Sequence, residues 1–165
     1  MAAPSLSRIA VLGAGAWGTA LAVTARRAGC TVTLWARSPA AAAGIEATRE
    51  NARRLPGIRL EPEIAVTADM DAARAGADAV LMVVPMAAVR VTAASLAGAL
   101  RPGVPVAMCA KGIEPVTGLF PAEIVAGLLP EAAVAVLSGP TFAAEVAAGK
   151  PTAVTLACRE EAIAT

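Results

Sequence analysis

Residues 9–22 read IAVLGAGAWGTALA, in which an apolar strand, a G-x-G-x-x-G turn and an alanine-rich helix follow one another without a break. In such a unit Gly13 forms the tight turn, Gly15 lets a pyrophosphate approach the backbone, and Gly18 lets the helix lie close to the strand. The helix then directs its unpaired N–H groups at the phosphates. The motif predicts a bound dinucleotide. The alternatives are a glycine turn that binds no ligand and a site for S-adenosylmethionine.

Beyond this motif, apolar strands alternate with helical segments along the chain. Apolar residues recur at helical spacing from Trp17 to Ala28, and Gly29 ends that helix before a second strand at 31–35. Further strands are predicted at 64–67, 78–84, 104–109, 133–137 and 153–157, and further helices at 39–53, 69–75, 87–100, 119–129 and 141–148.

The strands are typical of a sheet that helices cover on both faces. Residues 79–84, AVLMVV, are apolar at every position rather than at every second one. The chain is therefore predicted to be an α/β protein, a doubly wound and mostly parallel sheet of the Rossmann type in one domain spanning 1–165. Residues 49–62 form the most polar and irregular stretch, and we expect them to be a surface loop.

Charge and hydropathy exclude several classes of protein. The net charge of +1 gives no indication of a nucleic-acid partner. The longest strongly apolar stretch, 79–89, is interrupted by Pro85 and is too short to cross a membrane. No secretory signal precedes the first strand, so the expected location is the cytoplasm.

The cysteine and histidine content limits the possible chemistry. Cys30, Cys109 and Cys158 are odd in number, far apart and surrounded by apolar residues, so we expect buried reduced thiols rather than a disulfide or a metal site. Histidine is absent. A histidine general base and a Ser-His dyad are therefore excluded within this chain.

In an open parallel sheet, ligands bind beyond the carboxyl ends of the strands, so the residues after each strand are candidate site residues. After the second strand the chain has Arg37, where an NAD site would usually offer a carboxylate to the ribose. Arg37 suits a 2′-phosphate, which favours NADP over NAD; the alternatives are a solvated charge or stacking on adenine.

Residues 83–86, VVPM, either line the nicotinamide face or are plain core.

Two later junctions carry polar residues. Lys111 follows a buried strand and suits a phosphate or a carbonyl group, with a plain surface lysine as the alternative. Gly139 and Thr141 precede another helix and could offer N–H groups to an anion, although a structural N-cap explains Thr141 almost as well. Lys150 follows the glycine that ends this helix, and we expect it to be solvated.

With these residues in view, the chain resembles the N-terminal half of the NAD(P)-dependent glycerol-3-phosphate dehydrogenases of bacterial type. The glycine motif is generic, but the joint order of the later motifs is specific to that family, and the resemblance covers essentially the whole chain. The motifs that carry it are LWAR at 34–37, VVP at 83–85, AKGIE at 110–114, SGPTFAAE at 138–145 and AGKPT at 148–152.

The resemblance implies a reversible hydride transfer between a nicotinamide cofactor, NADP or NAD, and the pair of dihydroxyacetone phosphate and sn-glycerol 3-phosphate. This reaction feeds glycerophospholipid synthesis. Carried over by position, the substrate contacts are Lys111, Gly139 and Thr141. The cofactor contacts are Ala16, Trp17, Arg37, Lys111 and Ala143, in addition to the motif glycines.

The resemblance also implies that a part of the enzyme is missing. The proton-donating lysine of the family lies in an all-helical C-terminal domain that this sequence does not contain, so no catalytic residue is expected here. Residues 159–165 resemble the first turns of a helix. Two other functions stay open, namely a dinucleotide-binding module without catalysis and the first domain of another Rossmann-type hydroxyacid dehydrogenase. A homodimer is a further expectation, because apolar surface would be exposed where a second domain docks.

Overall fold

The computed structural model describes residues 6–160, which form one seven-stranded sheet with helices on both faces. The predicted helical turns at 159–165 lie largely outside these residues. The strands are β1 Arg8–Leu12, β2 Thr31–Trp35, β3 Ile64–Thr67, β4 Ala79–Met82, β5 Pro105–Met108, β6 Ala133–Ser138 and β7 Thr155–Cys158. The helices are α1 Ala16–Arg27, α2 Pro39–Thr48, α3 Met70–Arg74, α4 Val89–Leu96, α5 Pro121–Leu128 and α6 Ala143–Ala147, with a 3-10 turn at Met86–Ala88.

The strands lie in the order β3-β2-β1-β4-β5-β6-β7, and all neighbours are parallel except β6 and β7. The predicted α/β class with a doubly wound, mostly parallel sheet is therefore confirmed. The chain adds β2 and β3 on one side of β1, and then adds β4 and the later strands on the other side. This reversal places a crevice between the carboxyl ends of β1 and β4, where ligands bind in such sheets.

The core consists of two layers, one on each face of the sheet. Along β1, Ala10 and Leu12 pack into the layer under α3, α4 and α5, while Ile9 and Val11 pack into the layer under α1 and α2. Alternate residues of a strand point to opposite faces, so a strand with an apolar residue at every position contributes side chains to both layers of the core. This is the physical reason for the continuous apolar pattern that the sequence shows.

The segment after α2 differs from the prediction. The helix predicted for 39–53 begins at Pro39, after the Ser38 cap, but ends at Thr48, because Arg49 takes a left-handed conformation with φ of 54°. The expected surface loop at 49–62 is only partly exposed, since Asn51, Leu55 and Leu60 are each less than 5% exposed. Apolar residues can bury a loop even when they do not recur at the spacing of a helix or a strand. The search for periodic spacing in the sequence does not detect such residues.

The end of the sheet also departs from a purely parallel arrangement. The five-residue helix α6 packs against α1 instead of running back along the sheet, so the chain re-enters the sheet at the edge where β6 left it. Strand β7 is therefore antiparallel to β6, and most of it is exposed. The strands predicted at 31–35 and 64–67 have those bounds, and the strand predicted at 133–137 extends to Ser138. The remaining helices and strands are present with bounds that differ by a few residues at their ends.

The three cysteines are free thiols, as expected, but each is only half-buried. The prediction that they are buried was wrong because of their positions: Cys30 precedes β2, Cys109 follows β5 and Cys158 ends the exposed β7. No helix within residues 6–160 is long and apolar enough to cross a membrane.

A single carboxylate joins several segments at the amino ends of the strands. Asp78, just before β4, accepts hydrogen bonds from the backbone N–H groups of Ser7 and Arg8 at 3.1 and 2.9 Å, and from the Ser7 hydroxyl at 2.8 Å. The Arg101 guanidinium donates to its other oxygen at 2.8 Å. These donors, the Ser7 hydroxyl first among them, lower the pKa of Asp78 from 3.8 to about 2.

This arrangement predicts a defined pH dependence of stability. Because the folded-state pKa is depressed, the stabilisation by Asp78 is fully present above its ordinary value of 3.8 and is lost as the pH falls through about 2. We expect Asp78→Ala to lower the urea midpoint at pH 7, and the gap between its midpoint and that of the parent chain to narrow as the pH falls through about 2. Glu131→Ala, at an exposed side chain without a hydrogen bond among the described residues, is the matched control. An equal gap at both pH values would contradict this role.

Candidate functional site

In the turn between β1 and α1, the backbone and its packing require two of the three motif glycines. Gly13 has φ of 120°, and its N–H donates to the Trp35 carbonyl at 3.0 Å. A Cβ on Gly13 would meet the carbonyl oxygen of Val83, and a Cβ on Gly18 would collide with the carbonyl oxygen of Gly13. The fold itself therefore requires these two glycines.

Gly15 is different, because neither its backbone nor its packing requires a glycine. Its φ of −78° is open to any residue, and a Cβ would have no protein atom within 4 Å. Gly15 is also the N-cap of α1, where no side chain caps the helix and no acidic residue occupies the first turn. The free space and the unpaired N–H groups at this helix start suit an anion that approaches the backbone.

Behind this turn lies a buried side chain that the sequence analysis did not single out. The Asn51 amide donates to the Ala14 carbonyl at 3.0 Å and to the Thr19 hydroxyl at 2.8 Å. The Thr19 hydroxyl in turn donates to the Gly15 carbonyl at 2.8 Å. Asn51 lies in the stretch expected to be a surface loop, and no local motif marks it, so only the tertiary structure reveals this contact.

The residues after the parallel strands lie along one edge of the sheet, as the topology requires. Arg37 follows β2, is exposed and forms no ion pair within residues 6–160. The neighbouring Trp35 ring is fixed by its Nε1, which donates to the Ala68 carbonyl at 3.0 Å. Arg37 therefore lies just beyond the end of β2 with its guanidinium available to a ligand. Val84 after β4 is buried and Val83 half-buried, so this junction contributes to the core as well as to the edge.

Lys111 lies beside an open, mostly apolar pocket. It is exposed at the start of the 111–119 loop, and the pocket of about 520 Å³ is formed where β5, this loop, α5 and β6 meet. An ammonium group at the rim of an apolar pocket can bind a phosphate or a carbonyl while the rest of a ligand leaves water. The remaining lining residues are Met108, Ala110, Gly112, Ile113, Phe120, Pro121, Ala122 and Val136.

The loop that carries Lys111 is attached to α4 by a bidentate ion pair. The Arg90 guanidinium donates to both carboxylate oxygens of Glu114, at 2.9 and 2.6 Å, and the Thr117 hydroxyl donates to the same carboxylate. Arg90, followed by Thr117, lowers the pKa of Glu114 from 4.5 to about 2. The only acidic group near Lys111 in the AKGIE motif is thus ionised and already engaged, which leaves the Lys111 charge available.

The start of α1 lies close to the end of β5 through Trp17 and Cys109. Burial raises the pKa of the Cys109 thiol to about 11, and the Trp17 side chain has a smaller opposing effect. Cys109 is therefore a neutral thiol at pH 7 and not a nucleophile. Trp17 also packs with Leu55 and α6. Because Trp17 lies beside Cys109, the structure brings the glycine turn and the Lys111 junction to the same region of the edge.

At the junction after β6, packing explains Gly139, whereas no capping role explains Thr141. A Cβ on Gly139 would lie 2.9 Å from the Ala153 carbonyl oxygen, so the packing of the segment before β7 requires this glycine. The alternative for Thr141 was wrong, since Phe142 is the N-cap of α6. Ala143 opens α6, and the exposed Lys150 pairs with Glu145 at 3.2 Å.

Comparisons with known proteins identify relatives of this chain. A family profile described as the NAD-dependent glycerol-3-phosphate dehydrogenase N-terminus matches residues 8–164. The glycerol-3-phosphate dehydrogenase (NAD(P)+) of Rhodospirillum rubrum is 54% identical over 160 residues, which are 96% of this chain and 46% of that protein. The protein of the same name from Paramagnetospirillum magneticum is 52% identical over 153 residues, or 93% and 55%.

Solved structures show the same similarity. The glycerol-3-phosphate dehydrogenase of Coxiella burnetii superposes with a TM-score of 0.90 at 34% identity, over 97% of this chain and 49% of that one. A ketopantoate reductase from Ralstonia eutropha reaches a TM-score of 0.64 at 28% identity, over 79% and 41%. The chain spans about half the length of the curated relatives it matches.

The distinction between the motif glycines can be tested by adding one methyl group. We expect Gly18→Ala to destabilise the chain by about 1–3 kcal/mol or more, because the Cβ has to displace the Gly13 carbonyl. Gly15→Ala should change the free energy of unfolding by less than about 0.5 kcal/mol, yet weaken dinucleotide binding about tenfold or more. Urea unfolding and a binding titration measure both. Equal destabilisation by the two substitutions would contradict the assignment.

Proposed function

Since the chain belongs to the family of the NAD-dependent glycerol-3-phosphate dehydrogenase N-terminus, we propose that it is the cofactor-binding part of an enzyme that interconverts sn-glycerol 3-phosphate and dihydroxyacetone phosphate. The observation that carries the cofactor assignment is Gly15, a glycine that the fold does not need but that a pyrophosphate would need. The names of the relatives support the reaction. The same proposal includes that this reaction supplies glycerophospholipid synthesis.

In this proposal the dinucleotide lies across the carboxyl edge of the sheet. Gly13 and Gly18 shape the turn, and the backbone of Gly15, Ala16 and Trp17 at the start of α1 faces the pyrophosphate. Arg37 binds the adenosine side and, through a 2′-phosphate, favours NADP over NAD. The nicotinamide end lies toward Lys111 and Ala143, and the bound cofactor would supply or accept the hydride.

The substrate contacts proposed are Lys111, Gly139 and Thr141. The Lys111 ammonium attracts the phosphate group or stabilises negative charge on the carbonyl oxygen. Packing already explains why residue 139 is a glycine. In this proposal Gly139 therefore contacts the substrate through its backbone. The pocket beside Lys111 contributes apolar walls that exclude water from one side of a small ligand.

The proposed division of the enzyme places residues 1–165 in the Rossmann domain and the proton donor in an all-helical C-terminal domain. The relatives are about twice as long as this chain, which supports the division. No catalytic acid or base is assigned within the chain. The expected partners are the small-molecule substrate and a second copy in a homodimer, without nucleic acid. The free thiols of all three cysteines support a cytoplasmic location.

The cofactor assignment is tested by titrating the chain with NADPH and NADH while tryptophan emission is recorded. Trp17 and Trp35 are the only tryptophans, and both flank the proposed site. We expect saturable quenching by both cofactors, tighter for NADPH, and about tenfold weaker NADPH binding in Arg37→Ala with NADH binding unchanged. The exposed Arg59 supplies the matched control, Arg59→Ala. No quenching by either cofactor would contradict the proposal.

The division into two domains is tested by turnover. We expect no oxidation of NADPH that depends on dihydroxyacetone phosphate when the chain is supplied with both, because the proposed proton donor is not in it. Absorbance of the reduced nicotinamide measures the rate. Substrate-dependent oxidation above the rate with buffer alone would show that the catalytic group lies within these residues, and Lys111→Ala would then be the first variant to examine.

A further inference from the structure

Asn51 is one of the few polar side chains that the fold buries, and both groups it contacts belong to the glycine turn or the first turns of α1. It is 4% exposed. Its two amide hydrogens are used for the Ala14 carbonyl, 37 residues away in sequence, and for the Thr19 hydroxyl, 32 residues away. A buried amide with two long-range bonds to one turn fixes the geometry of that turn.

The Thr19 hydroxyl extends this contact to a second carbonyl. Because it accepts from Asn51, its own hydrogen is directed to the Gly15 carbonyl, which also accepts from the Thr19 backbone N–H at 3.0 Å. Two successive carbonyl oxygens, those of Ala14 and Gly15, are therefore held from the protein side. We call this set of bonds the amide relay.

Holding the two carbonyls determines the direction of two N–H groups. In a trans peptide the C=O and the following N–H point in opposite directions, and no peptide bond among the described residues is cis. The N–H groups of Gly15 and Ala16 are thus turned away from the protein interior. Within residues 6–160 neither has a hydrogen-bond acceptor, and the space beside Gly15 is open.

We propose that Asn51 is a positioning residue for the dinucleotide, which orients the Gly15 and Ala16 N–H groups toward the pyrophosphate through the amide relay. This inference rests on the proposed cofactor site and adds to it a buried residue that acts through the turn. Donors that already point at an anion do not have to reorganise when the anion binds, so they contribute more to affinity than mobile donors.

The segment around Asn51 is held in place by hydrogen bonds and by packing. The Asn51 carbonyl accepts from the N–H groups of Arg54 and Leu55 at 3.0 and 2.7 Å, which closes a turn behind the amide. Leu55 is 3% exposed and packs with Ala20 and Ala147. The amide is therefore anchored to the same helix, α1, whose first turn it orients.

The primary test compares Asn51→Ala with a variant that perturbs the same segment without touching the relay. Leu60→Val is the matched control, because Leu60 is also buried and packs under the sheet. We expect Asn51→Ala to weaken NADPH and NADH binding about tenfold, since the Ala14 carbonyl loses its side-chain donor, the Thr19 hydroxyl loses the amide that orients it, and the turn relaxes. Leu60→Val should lower the urea midpoint and leave both affinities within about twofold.

Two further measurements separate positioning from mere stabilisation of the fold. The backbone amide signals of Gly15 and Ala16 should move on addition of NADPH in the parent chain, and should move much less in Asn51→Ala. Thr19→Val should also weaken binding, and its effect should not add to that of Asn51→Ala, because both act through one relay. A purely structural role for Asn51 would leave the amide responses of the folded variant unchanged.

The outcomes distinguish this inference from the proposed function. If the parent chain binds neither NADPH nor NADH, the cofactor site itself is wrong. If the parent chain binds and folded Asn51→Ala binds equally well, the cofactor site stands and the positioning role of Asn51 is overturned. If Asn51→Ala does not fold, Thr19→Val alone decides, since it removes the hydroxyl and keeps the size of the side chain.

Discussion

The close approach of α1 to the end of β1 is the contact on which the rest of the structure depends. At Gly18 the helix lies so near the Gly13 carbonyl that no side chain fits between them. This approach directs the first turn of α1 at the crevice between β1 and β4 and leaves its N–H groups at the carboxyl edge of the sheet. The other candidate groups, from Arg37 to Thr141, lie on this edge because the strands that precede them are parallel.

The charges along this edge follow a simple division. Arg37 and Lys111 are exposed and available, whereas the nearby carboxylate of Glu114 is committed to Arg90. The first turn of α1 contains no acidic residue. The part of the edge around the glycine turn and Lys111 therefore presents exposed cations and helix-end N–H groups, an electrostatic environment that suits phosphate-bearing ligands.

The sequence predicts the parts of this molecule that depend on local pattern. Continuous apolar runs identified the strands, and the spacing of three glycines identified the β1–α1 turn, because the positive φ of Gly13 and the contact of Gly18 with the Gly13 carbonyl are local features of the chain. The features it missed depend on contacts between distant residues. The early end of α2 at Arg49, the burial of Asn51, the half-exposure of the cysteines and the direction of β7 follow from how segments pack, and none has a local signature.

The amide relay also has a consequence for the order in which this molecule is assembled. Thr19 and the glycine turn are made early in the chain, but the amide that orients them comes 37 residues after Ala14, and β4, which lines the crevice, comes later still. Contacts between distant residues form only after the intervening loop has closed. A nascent chain thus carries its glycine motif long before it has a finished phosphate site, so that cofactor capture marks the completion of folding rather than its beginning.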